Sequence, residues 1–146
     1  MFKRILIPTD AGGFGQEALE RGLELAQLMG SEVTLLHALD TVPQEGPVGA
    51  VEEVVQESRR RGWEALEQAR CQAANRGVVA RAVLLEHISP VKAILEEARR
   101  HDLIVMATHG RKGIERAMMG SVTDKVVHNC LTPILVVHAL EVVVGL

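Results

Sequence analysis

One stretch of the chain has residue types suited to holding an anion. It runs Ala107-Thr108-His109-Gly110-Arg111-Lys112-Gly113, continues through residues 114–119, and closes with Gly120-Ser121-Val122-Thr123-Asp124. Nine residues separate Gly110 from Gly120, and a hydroxyl residue follows the second glycine at once. Glycine lets backbone N–H groups approach a phosphate closely, and the first turn of a helix adds oriented N–H donors and a partial positive charge. Arg111, Lys112 and Arg116 supply cations beside them. Ser121 can cap the next helix with Asp124 three residues on, which is capping-box spacing, or it can turn its hydroxyl to a phosphate. Loop shape and a helix stop signal would also call for these glycines, so spacing alone leaves both readings open.

Other candidates carry less. Gly13-Phe14-Gly15-Gln16-Glu17-Ala18 fits the dinucleotide pattern G-x-G-x-x-A, with Asp40 ending a later apolar run. Residues 8–12 intervene before its first glycine, however, and Asp10 would put a negative charge near a pyrophosphate, so a nicotinamide-dependent oxidoreductase is disfavoured. No G-x4-GK[ST] phosphate loop is present. Of the six histidines, His37 and His138 fall in or at the end of strands and His101 and His128 near helix ends, where satisfied polar groups are commoner than metal ligands. His109 lies inside the glycine-marked loop, placed for a ligand contact or a loop hydrogen bond. No Ser-His-Asp or Cys-His set and no base poised over water is suggested, so hydrolysis of a bound nucleotide is expected to be slow at most. Cys71 and Cys130 lack CxxC spacing and read as reduced thiols; Trp63 and Met118-Met119 read as packing or interface residues.

The elements that must position these groups fit one domain of 146 residues, long enough for its own core. Apolar residues make up 47% and charged residues 24%, which sets aside disordered, collagenous and coiled-coil classes. With 2% aromatics there are no stacking platforms for single-stranded nucleic acid, and a net charge of -3 argues against a duplex-binding face. The opening Met1-Phe2-Lys3-Arg4-Ile5-Leu6-Ile7 meets Pro8 after a three-residue apolar run, too short for a secretory core, and no stretch suits a bilayer span. A cytoplasmic protein is expected.

Short β-rich runs alternate with segments of helical period, the pattern of a parallel sheet covered by helices. Strands are predicted over 3–7, 33–39, 78–85, 103–107 and 133–137, and helices over 14–29, 51–73, 89–98 and 121–130. Residues 40–49, with Pro43, Gly46, Pro47 and Gly49, read as a loop, Gly77 as a helix stop, and Ser89-Pro90 as an N-cap with proline at the first helical position.

At the glycine loop the chain resembles the nucleotide-binding branch of the universal stress protein family, whose signature is Gly-x2-Gly-x9-Gly followed by Ser or Thr. Gly110, Gly120 and Ser121 match it, while the first glycine falls on Ala107, whose methyl would stand near the ribose. The resemblance extends to Ile5-Leu6-Ile7-Pro8-Thr9-Asp10, Leu35-Leu36-His37-Ala38, residues 102–110 and Thr132-Pro133-Ile134-Leu135-Val136-Val137. It implies a Rossmann-like α/β fold of the adenine nucleotide alpha hydrolase type. Its single five-stranded parallel sheet would have the order 3-2-1-4-5, with helices on both faces and the ligand outside the strand ends at the switch point. The family domain would span 1–140, with 141–146 an apolar tail.

Residue by residue, the resemblance implies that Pro8, Thr9, Asp10 and Ala38 border adenine and ribose, with Asp10 accepting from the ribose hydroxyls. Met106 and Ala107 would lie against the sugar. Gly110, Gly120, Ser121, Val122 and Thr123 would hold the phosphates of ATP, together with His109, Arg111 and Gly113, and Mg2+ would bind through phosphate oxygens. It further implies a homodimer through the last strand, joined by the apolar tail, and an unknown protein partner. A nucleotide-independent stress regulator or a cyclic-AMP binder of the same family stands as the alternative.

Overall fold

A computed structural model of the chain describes residues 1–9, 14–40, 47–108 and 120–138. In chain order they form β1 (Arg4–Pro8), α1 (Gln16–Met29), β2 (Glu32–Leu39), α2 (Val48–Asn75), β3 (Ala80–Glu86), α3 (Pro90–Ala98), β4 (Leu103–Thr108), α4 (Ser121–Asn129) and β5 (Ile134–His138). The strands make one sheet ordered β3-β2-β1-β4-β5, and every pairing is parallel. The winding reverses between β1 and β4, which pair through Ile5↔Leu103 and Leu6↔Ile104.

Side chains alternate across the sheet, so each strand feeds two cores. Ile5, Ile7, Val33, Leu35, Leu103 and Val105 pack on one face beneath α1 and α2, where Ala18, Leu19, Leu23, Leu66 and Ala69 meet them. Leu6, Leu36, Ile104 and Met106 pack on the other face with Ala93, Ile94, Ala98 and Val126 of α3 and α4. Ile5, Leu6 and Ile7 are almost fully buried, and each such side chain contributes about 1.5–3 kcal/mol by leaving water. A strand buried on both faces has to be apolar throughout, which is why β4 reads Leu-Ile-Val-Met without alternation.

The helix ends follow local chemistry. The α1 helix stops at Gly30, whose φ of 66° is left-handed and whose N–H donates to the Ala26 carbonyl. At α3 the Ser89 hydroxyl accepts from the Lys92 N–H at 3.3 Å, with Pro90 in the first turn. The α2 helix begins at Val48, not 51: Pro47 is its N-cap, and residues 48–50 are helical although Val48 and Gly49 fall in the segment that reads as loop. The third strand starts at Ala80, two residues later than the apolar pattern suggests. The Asp102 carboxylate accepts from the backbone N–H groups of Lys3 (2.9 Å) and Arg4 (3.1 Å), fastening the start of β1 beside β4.

Candidate functional site

In an open parallel sheet the ligand crevice lies outside the C-terminal strand ends where the winding reverses. Here those ends are Pro8-Thr9 of β1 and Ala107-Thr108 of β4, with Ala38 near the end of β2 alongside. The structure brings Pro8, Thr9, Ala38, Met106 and Ala107 to this end of the sheet, and Gly120, Ser121, Val122 and Thr123 to the start of α4. Asp10, His109, Gly110, Arg111 and Gly113 lie outside the described residues, as do Lys112, Arg116 and the tail 141–146.

The α4 end has a defined geometry. Gly120, not Ser121, is the N-cap, with φ -55° and ψ 152°, and its carbonyl accepts from the Asp124 N–H at 2.9 Å. As a glycine, Gly120 has no side chain with which to cap the helix. The capping box that Ser121 and Asp124 could have made therefore does not form. Ser121 is already inside the first turn, and Asp124 lies 3.5 Å from His128 Nδ1, one turn on. Ser121 is exposed and Val122 half-buried, and the first turn's N–H groups have no partners within the helix. Thr123 is fully buried, and its hydroxyl donates to the Ala107 carbonyl at 3.1 Å. That bond ties the first turn of α4 to the end of β4.

Ala107 is held from the other side too. Its methyl lies on the α1 face, packed with the core beneath that helix and against Gly15, the α1 N-cap. A Cβ on Gly15 would stand 2.6 Å from that of Ala107. Gly15 is thus explained by close packing, which removes the need for a dinucleotide reading of that glycine. The contact spans 92 positions of chain, and no sequence pattern announces it.

The described histidines are engaged in interactions. His37 Nδ1 and Thr9 Oγ1 share a hydrogen bond of 2.8 Å, and burial lowers the imidazole pKa. His138 Nδ1 and Thr108 Oγ1 lie 3.0 Å apart. His101 donates from Nδ1 to the Glu97 carbonyl (2.7 Å) while its Nε2 meets Thr34 Oγ1 (2.8 Å), and His128 Nδ1 meets the Asp124 carbonyl at 2.7 Å. Thr108, unlike Thr9, was not a sequence-based candidate; its only signal was its place as the last residue before the glycine loop. Beyond the ends of β2 and β3, a cavity of about 530 Å³ is lined by Asp40, Glu86, His87, Ser89 and Lys92 among others, and sequence reasoning did not single it out. Cys71 and Cys130 are free thiols, and Trp63 is 43% exposed. Among the described residues, no helix is long and apolar enough to cross a membrane.

A doubly wound parallel α/β domain, with an uncapped helix start beside its switch point, is the class of protein these features define. The chain belongs to the universal stress protein family, which it matches over residues 1–138. It is similar to a universal stress protein of Methanocaldococcus jannaschii, 34% identical over 144 residues that cover 94% of this chain and 82% of that one. In structure it is similar to a universal stress protein solved in complex with cAMP, at TM-score 0.67 and 20% identity, covering 95% of this chain and 98% of the other. It also resembles the universal stress protein of Archaeoglobus fulgidus in complex with dAMP, at TM-score 0.63 and 20% identity, covering 92% and 96%.

Proposed function

We propose that this protein is a cytoplasmic, ATP-binding dimeric regulator of the stress response, with at most slow hydrolysis. One observation carries the reading: the start of α4, Gly120 to Thr123, whose glycine N-cap offers no side-chain acceptor, is bound by Thr123 to the end of β4 at the switch point. Unpaired N–H donors and the positive end of a helix suit a phosphate. That two structurally similar family members are complexes with cAMP and dAMP supports an adenine nucleotide as the ligand.

In this reading Pro8, Thr9, Asp10 and Ala38 border the base and ribose, and Met106 and Ala107 the sugar. Gly120, Ser121 and Val122 hold phosphates with His109, Gly110, Arg111 and Gly113, while Thr123 aims the helix. The packing of the Ala107 methyl against Gly15 supports unhindered binding despite the departure from the glycine signature. The donor set suits an anion, and Mg2+ would be carried by the phosphates. The edge position of β5 and its exposed Leu135, with the exposed Leu131 shortly before the strand, favour the last strand as the dimer surface.

The test is nucleotide released by heat from the purified protein and identified by mass, followed by melting with added ATP and Mg2+. Ligand at about 100 times its Kd stabilises by about 2.7 kcal/mol. Gly120→Val should abolish the shift while leaving the fold intact, because its φ and ψ are open to any residue. No co-purifying nucleotide and no shift with ATP would sink the reading. A shift with cyclic AMP alone, independent of Mg2+, would transfer it to the second ligand.

A further inference from the structure

The two strands that meet at the switch point end alike. The chain leaves β1 through Thr9, immediately before Asp10, and leaves β4 through Thr108, immediately before His109 and Gly110. Both threonines are buried, at 7% and 3% exposure. Each shares a hydrogen bond with Nδ1 of a histidine on the strand lying outward from the switch point: Thr9 with His37 of β2 at 2.8 Å, Thr108 with His138 of β5 at 3.0 Å. In β4 and β5 the two residues are direct register partners.

Side-chain alternation puts the pairs on opposite faces of the sheet. Thr9 and His37 continue the Ile5-Ile7 and Val33-Leu35 rows beneath α1 and α2, whereas Thr108 continues the Ile104-Met106 row beneath α3 and α4. Each face of the doubly wound sheet thus supplies one clasp at the last residue before a loop. The first clasp is also backed by α2: a Cβ at Gly62 would lie 2.6 Å from His37 Cδ2 and 2.9 Å from Nε2, so the imidazole seats against bare helix backbone. The Thr9 N–H donates to the Leu36 carbonyl at 2.8 Å, which fixes the same residue through its main chain.

A threonine held by backbone, burial and hydroxyl at once has one orientation, and it fixes the end of its strand. We infer that Thr9–His37 and Thr108–His138 are positioning pairs that hold the ends of β1 and β4 at the nucleotide crevice, so that losing either hydrogen bond weakens nucleotide binding in a chain that still folds. This rests on the proposed nucleotide-binding function. The imidazoles act through the threonines.

The test is titration of the full-length protein with a fluorescent ATP analogue and Mg2+, alongside thermal melting without nucleotide. Thr9→Val and Thr108→Val keep shape and burial but remove the hydroxyl. Each should weaken binding about three- to tenfold, the range for one hydrogen bond, and leave the chain folded at the temperature of the titration. Thr9→Ser restores a hydroxyl, and His37→Asn offers a polar atom near the Nδ1 position. Both should bind within about twofold of the unsubstituted protein, whereas His37→Leu should not. Affinity equal to that of the unsubstituted protein in either valine variant overturns the inference while leaving nucleotide binding intact. So does a loss in His37→Asn as large as in His37→Leu. If the unsubstituted protein binds no adenine nucleotide, the proposed function fails and this inference fails with it.

Discussion

Gly15→Ala tests the contact between the α1 start and the end of β4. The backbone at Gly15, φ -64° and ψ 123°, is open to alanine, so the substitution introduces no dihedral strain. What it introduces is a Cβ 2.6 Å from the Ala107 Cβ, an atom fixed to the β4 backbone that cannot swing aside. Either α1 or β4 must move by about an ångström, and overpacking of this kind typically costs about 1–3 kcal/mol. For a domain of this size 1 kcal/mol moves the midpoint by about 3 °C, so the loss should be roughly 3–10 °C. Alanine is also a poorer N-cap than glycine, which adds a penalty unrelated to the contact. A double-mutant cycle with Ala107→Gly separates the two, since the partner methyl is then gone and only the capping loss remains. Urea denaturation of the four proteins measures it. If Gly15→Ala costs the same in both backgrounds, the steric argument is refuted and Ala107 has no claim on that glycine.

Other expectations follow from single bonds. Thr123→Val leaves the Ala107 carbonyl without its hydroxyl donor and should cost about 1–3 kcal/mol in denaturant melts. Asp102→Ala removes two acceptors from the start of β1 and should destabilise by a similar amount, with Asp102→Asn intermediate because one carbonyl oxygen remains. His37 has a pKa lowered by burial, so the unfolded chain takes up its proton first on acidification. Stability should therefore be lost as pH falls below about 6.5 toward the lower folded value, and that part of the slope should be missing in His37→Asn when melting is followed against pH.

Much of the architecture was legible because it rests on local chemistry. The unbroken apolar run of β4, the Ser89-Pro90 start of α3 and the period of α1 each reflect forces acting within a few residues. Gly77 was legible as a stop for the same reason, and it carries the left-handed φ of 71° that glycine favours. The errors fell where a short-range signal had two outcomes. Pro47-Val48-Gly49 reads as loop, yet proline's fixed φ also suits the entry to a helix, and the solvent-facing first turn of α2 tolerates Gly49. Ser121 has the right type to cap α4, but Gly120 reaches the extended conformation one residue earlier and takes the position. The contacts that organise the site, Gly15 with Ala107, Thr9 with His37 and Thr123 with the end of β4, depend on which strands become neighbours. Spacing along the chain does not encode that.

The seam between β1 and β4 also dictates an order of assembly. Lys3 and Asp102 are 99 residues apart, so the centre of the sheet closes only after a very large loop has been drawn together. The β3-β2-β1 half can zip up earlier, through crossovers that span tens of residues, and would then present β1 as an open border. During synthesis that border stays bare until β4 has emerged, and a neighbouring chain could take its place. The candidate site at the switch point is thus the last part to come into being.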